Sequence, residues 1–246
     1  MVEAIEVSHL SKTYANGVKA NHDISFVIHE GESVGLLGPN GSGKTTLLRQ
    51  IYGELLSDGG KVTVWGHEVP ADMNSIKNVI GVMPQDAIPR TDLPVFLQIY
   101  YSLLLRGFDK KEAKATCDKT ITSLGIQEYS KAYVLDLSGG TQRKVFLAMC
   151  LAHSPKILLL DEPTVGLDIV FRNKIWQTLK TSIVESKKTL LLTSHYPQDI
   201  ETLCERVICM ENGKIRYDGT IPDLLSTTRT DTLERAYLQL MGDSGQ

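Results

Sequence analysis

The sequence predicts an α/β fold with a mainly parallel sheet, an antiparallel β patch near the N-terminus and an all-helical insert. Three observations predict it. SVGLLG (33–38), KILLLD (156–161) and KTLLLTS (188–194) are short continuous apolar runs, as in strands buried on both faces. Residues 3–9 and 24–28 instead alternate apolar and polar, as half-buried antiparallel strands do. From Pro94 to His153 the apolar spacing turns helical.

The elements follow in order. After the first buried strand, GKTTLLRQIYG (43–53) reads as a helix stopped by Gly53. KVTVWG (61–66) and VIGVMP (79–84) read as strands. PVFLQIYYSLLLRG (94–107) and DKKEAKATCDKTITSLG (109–125) are helices ending at glycine, the second capped by Asp109. LSGGTQRKV (137–145) opens a third helix, with Ser138 as cap. Beyond KILLLD, helices are predicted near 168–186 and 197–204, strands near 206–216, and an amphipathic tail in TLERAYLQLMG. The chain divides into a core with its antiparallel patch (about 1–85 and 155–220), a helical subdomain (about 86–154) and a helical tail (about 221–246), within one domain.

Composition removes several function classes. The 246 residues carry a formal charge of −3, so there is no basic footprint and no nucleic-acid partner is expected. The acidic N-terminus lacks the apolar run of a signal peptide, and the longest apolar runs are far short of a membrane span. Cys117, Cys150, Cys204 and Cys209 form no close pair, which argues for reduced thiols rather than zinc or disulfides.

The chemistry concentrates at strand ends. GPNGSGKT (Gly38, Pro39, Asn40, Gly41, Ser42, Gly43, Lys44, Thr45), followed by Thr46, fits G-x-x-x-x-G-K-[ST] between a buried strand and a helix. Glycines let backbone N–H groups approach phosphates, and the helix N-terminus adds its dipole. Lys44 is placed to reach the β/γ-phosphates, and Thr45 offers a hydroxyl to Mg²⁺. KILLLDEP delivers Asp161 to the sheet edge as a metal carboxylate, with Glu162 next as the base for an attacking water. Together these indicate a P-loop NTPase core with ATP and Mg²⁺. A second anion-binding helix start, Ser138-Gly139-Gly140, is expected to lie away from the chain's own Lys44 and to serve a neighbouring chain.

The combination resembles the nucleotide-binding subunit of ATP-binding cassette (ABC) transporters, over essentially the whole chain. LSGGTQRKV, about 20 residues before Asp161-Glu162, resembles that family's signature. The resemblance implies further roles. Tyr14 in SKTYANG would stack on adenine. Gln85 in VMPQD would sense γ-phosphate and metal and link to the membrane partner. Asp168 in VGLD would communicate across the dimer, and His195 in LLLTSHY would contact the γ-phosphate. His9, His22, His29, His67 and His153 have no such context. Thr141 departs from the commoner glutamine after LSGG, and Ile169 stands where proline is frequent.

The resemblance also implies a second ABC ATPase subunit, most simply a homodimer, an integral membrane permease and a place on the cytoplasmic face of the membrane. LQIYYSLLLRGFDKKEAK and DTLERAYLQLMG resemble segments of two-component exporter subunits. DAIPRTDLPVFLQ (86–98) lacks the family's usual T-x-x-E-N phrase, with Leu93, Pro94 and Gln98 in or near its place, which leaves the permease's identity open. Two alternatives stand beside export: an importer subunit, disfavoured by the exporter-like tail, since smaller importer subunits also lack a regulatory β-domain, and a soluble ATPase on nucleic acid or ribosomes, disfavoured by the lack of coiled-coil insertions or a second cassette.

Overall fold

The computed structural model describes residues 2–86, 89–90 and 92–242, without the side chains of 184–186. Part of DAIPRTDLPVFLQ therefore lies outside the described residues. Four strands, β1 (Glu3–Thr13), β2 (Lys19–His29), β4 (Gly59–Val64) and β5 (His67–Val69), form an antiparallel sheet in the order β2-β1-β4-β5. The second sheet runs β10-β9-β3-β8-β7-β6, from β3 (Ser33–Leu37), β6 (Ile80–Met83), β7 (Ile157–Asp161), β8 (Thr189–Ser194), β9 (Arg206–Glu211) and β10 (Lys214–Thr220). Every residue of β3, β7 and β8 is buried, the two-sided burial that their continuous apolar sequences require. Only the β9–β10 edge pair is antiparallel.

Side-chain alternation splits the parallel sheet's two faces. Val34, Leu36, Ile157, Leu159 and Leu191 pack toward the antiparallel sheet and α1 (Lys44–Ile51). Leu158, Leu160, Leu190 and Leu192 pack on the other side with α6 (Ile169–Ser186), α7 (Pro197–Leu203), α8 (Ile221–Thr228) and α9 (Leu233–Gly242). A third core joins α3 (Val95–Leu104), α4 (Lys110–Ser123) and α5 (Gly139–Ala152). α5 belongs to two cores: Val145, Ala148 and Ala152 pack in the helical insert, while Leu147 and Cys150 pack against the sheet. That helix is the strut between the two regions.

α4 begins as its sequence predicts. Asp109 accepts from the amides of Lys111 and Glu112 at 2.8 Å, and Glu112 reaches back to Asp109 N–H in a capping box. Two short elements escape sequence reading, β5 and α2 (Met73–Val79), whereas α8 falls within the stretch expected as a helical tail. α2 buries only Ile76, too little to imprint a period. α8 does carry a start signal, since Thr220 Oγ1 accepts from Asp223 N–H at 3.2 Å and a proline stands in the first turn. All four cysteines are buried and free.

His153, just past α5, binds the carbonyl of Ile80 through Nε2 at 3.0 Å. Burial, with the positive charge of Arg106 second, pushes its pKa from 6.5 down to about 4. The folded protein keeps the ring neutral while the unfolded chain takes up a proton below 6.5, so stability falls as pH drops from 6.5 towards about 4. His153→Gln should remove about 1–2 kcal/mol of the stability lost between about pH 7 and about pH 5, read from urea midpoints of both proteins.

Candidate active site

Strand register gathers the site. Leu37 of β3 pairs with Ser194 of β8, and Thr193 of β8 pairs with Asp161 of β7. The three strands therefore end together, delivering Gly38, Asp161-Glu162 and His195 to one edge of the sheet.

The loop after β3 turns into α1 through Gly43, whose φ of 101° and whose contact with the Ala20 carbonyl leave no room for a Cβ. α1 has no side-chain cap and no acidic residue in its first turn, so its first amides stay open to an anion. Lys44 is buried, with Nζ donating to the carbonyls of Gly38 at 2.7 Å and Pro39 at 3.1 Å. Burial holds its pKa below the ordinary lysine value, opposed by the charges of Glu162 and Asp161.

Thr45, Gln85 and Asp161 meet across the loop. Thr45 Oγ1 lies 3.3 Å from Asp161 Oδ1 and 3.5 Å from Gln85 Oε1. One carboxylate, one amide oxygen and one hydroxyl suit a hard cation such as Mg²⁺, which takes few protein ligands beside substrate phosphates. Burial raises the Asp161 pKa, and hydrogen bonds from Thr193 and Thr45 oppose that rise.

Glu162 is 4% exposed and adopts φ 51°, a left-handed conformation for a non-glycine residue. Its N–H donates to Thr193 Oγ1 at 3.0 Å, and Thr193 Oγ1 donates to Asp161 Oδ1 at 2.5 Å. Its carboxylate meets His195 Nδ1 at 2.5 Å. A cleft of about 320 Å³ is lined by Tyr14, Asn40, Gly41, Gly43, Lys44, Thr45, Thr46, Gln85 and Glu162. Tyr14 OH also lies 3.1 Å from Thr46 Oγ1, which tethers the aromatic ring at the cleft.

Comparison with known proteins identifies the family. Residues 21–165 match the family described as ABC transporter. The chain belongs to the ABC transporter family. As an ABC ATPase it hydrolyses ATP in work coupled to transport. It is 34% identical to the linearmycin resistance ATP-binding protein LnrL of Bacillus subtilis, over 94% of this chain and 72% of that protein. It is 36% identical to the Nod factor export ATP-binding protein I of Rhizobium etli, over 90% of this chain and 70% of that protein. Among solved structures, it aligns with the dimeric post-hydrolysis state of the ATP-binding cassette MJ0796 bound to ADP and Pi. The TM-score is 0.79 at 26% identity, over 88% of this chain and 98% of that one.

Of the sequence-predicted residues, Gly38, Pro39, Ser42, Asp161 and His195 adjoin the cleft through the neighbours described above without lining it, and Ser138, Gly139, Gly140 and Asp168 do not line it either. Ser138 caps α5, its Oγ accepting from Thr141 N–H at 3.3 Å. Asp168 caps α6, accepting from Val170 N–H at 2.8 Å and Phe171 N–H at 3.0 Å. Gly140 packs against the Phe171 ring, so the two capped helix starts are neighbours, whereas Gly139 has open space around it.

Three positioning residues escape sequence reading. Thr193 ties Asp161 to Glu162 as described. Arg143, one turn into α5, sends its guanidinium to the carbonyls of Glu162, Pro163 and Gln85. Asp199 is fully buried and accepts from Thr164 Oγ1 at 2.6 Å, Ser194 Oγ at 2.7 Å and Trp176 Nε1 at 2.9 Å. It thereby clamps the loop after Glu162 to the strand end before His195.

Proposed function

We propose that two copies of this chain close head to tail over two ATP–Mg²⁺ and drive a separate membrane permease in export. The observation that carries the reading is the division of phosphate-binding groups. Lys44 and the open α1 N-terminus face the cleft, while Ser138-Gly139-Gly140 point elsewhere. A neighbouring copy can supply the second wall. Leu135, Ile169 and Val170, flanking Ser138 and Asp168 in sequence, are 69%, 76% and 61% exposed, apolar surface suited to burial in a dimer. Asp168 would then sit where the two copies meet.

In this reading Gly38 to Thr46 cradle the phosphates with backbone amides, and Lys44 leaves the Gly38 and Pro39 carbonyls for the β/γ-phosphates. Tyr14 stacks on the adenine. Thr45, Gln85 and Asp161 hold Mg²⁺, which neutralises phosphate charge when bound. Glu162 accepts the proton of the attacking water. His195 keeps Glu162 oriented through Nδ1, leaving Nε2 for the γ-phosphate. Ser138 and its glycines, from the second copy, close the site and exclude water. Gln85 and the helical insert pass closure to the permease through α5 and Arg143.

The export reading draws on the relatives, one named for Nod factor export and one for linearmycin resistance. Among the described residues no helix is long and apolar enough to cross a membrane; in this reading a separate permease provides the path. Association with the cytoplasmic face through that permease follows.

Glu162→Gln should bind ATP with near-normal affinity, hydrolyse it at least about 100-fold more slowly, and elute as a dimer with ATP and Mg²⁺ on sizing columns. Dimer-free elution under those conditions contradicts the proposal. A tagged chain should co-purify with a multi-span permease; recovery of an extracytoplasmic binding protein with it would indicate import instead.

A further inference from the structure

A second cleft, larger than the nucleotide cleft, lies away from it. It has a volume of about 640 Å³ and sits at the opposite edge of the parallel sheet, where β7 and β8 begin. Its walls are Thr116 and Lys119 of α4, the residues ending α5 through His153, the second half of α6 with Thr181 and Ser182, and Lys188. No aspartate or glutamate lines it among the described residues.

Lys188 is 5% exposed. Its Nζ donates to the Pro155 carbonyl at 2.7 Å and to Ser154 Oγ at 3.3 Å, leaving a third hydrogen. Among the described residues it makes no ion pair, and neither does Lys119. A buried cation without a counter-charge is costly. Burial and the nearby charges of Arg106 and Lys188 keep His153 neutral. The Thr116, Thr181 and Ser182 hydroxyls make no hydrogen bond among the described residues. An adjoining groove shares Ser123, Leu124, Gln177 and Thr178 with this cleft and adds Lys144 and Lys174. The volume falls within the range of small-molecule sites, roughly 300–1,000 Å³.

We propose that this cleft binds a small phosphate ester bearing hydroxyl groups, and that its occupancy alters ATP turnover. Lys119 and Lys188 hold the phosphate, and the free hydroxyls meet the ester's hydroxyl groups. The route to turnover is built in. α5 begins at Ser138 and ends in this cleft, and α6 begins at Asp168 and passes along it. A ligand wedged between their far ends shifts the two helix starts that the proposed dimer uses. Binding stands independently of the proposed function; the effect on turnover rests on it.

The test titrates inorganic phosphate, glucose 6-phosphate and uncharged glucose into the chain with its nucleotide cleft saturated by ADP. Amide resonances of Thr116, Thr181 and Lys188 report binding. Both anions should give saturable shifts, glucose 6-phosphate binding more tightly, and glucose none. Lys119→Ala, at an exposed position, should weaken binding about tenfold, and Lys188→Met at least as much. Saturating glucose 6-phosphate should change the ATPase rate of the unaltered chain at least about twofold, and Lys119→Ala should need about tenfold more of it for the same change. No saturable shift up to roughly 10 mM of either anion overturns the site. Equal affinity in Lys119→Ala and the unaltered chain overturns it too. Binding with an unchanged ATPase rate overturns the coupling and leaves the site and the ATPase reading standing.

Discussion

The hydrogen bond from Thr193 Oγ1 to Asp161 Oδ1, set by the parallel pairing of β7 and β8, is the contact on which the rest depends. It joins two strands at the edge where Gly38, Asp161, Glu162 and His195 emerge. The same hydroxyl accepts from Glu162 N–H, which holds that residue in its left-handed conformation and turns its carboxylate towards His195. A slip of one residue between these strands would reverse every side chain and send the apolar run to the wrong cores. The fully buried Leu158–Leu160 and Leu190–Leu192 make that slip expensive, so the cores guarantee the chemistry's geometry.

Three helix starts then divide the labour. α1 begins bare, with amides open beside Lys44. α5 and α6 begin capped by Ser138 and Asp168, outside the cleft. A triphosphate is highly charged, and a single bare helix start covers one side of it. In the proposed dimer the second side comes from Ser138 and its glycines in the neighbouring copy. Arg143 links the two halves, since it lies one turn beyond Ser138 and binds the carbonyls of Glu162 and Gln85. Movement of α5 is therefore felt at both residues.

The sequence made the fold class and the nucleotide motifs legible because their signals are local. A glycine-rich turn between a buried strand and a helix has one main use, and continuous apolar runs of three or four residues mark central strands. Ser138 was readable as a cap for the same reason, whereas the capping by Asp168 was not read. Thr193, Arg143 and Asp199 were hidden because their meaning is tertiary. Thr193 looks like one more β-branched residue in a buried strand, and Asp199 looks like a first-turn acid on a short helix. Only strand register and packing bring Asp199 within reach of Thr164 and Trp176. Arg143 sits inside the signature run, yet nothing local says that its guanidinium turns back to main-chain carbonyls. The lysine-lined cleft was equally hidden, because its walls come from α4, α5, α6 and the start of β8.

The claim that two chains share each nucleotide is tested most directly by mixing two inactive variants. Lys44→Ala ruins a chain's own cradle, and Ser138→Arg ruins what it lends. Each alone should be inactive in ATP hydrolysis. Mixed in equal amounts, half the dimers hold one intact site, so about a quarter of the unaltered rate should return. A mixture as inactive as its components, although the two variants form mixed dimers, would contradict the account.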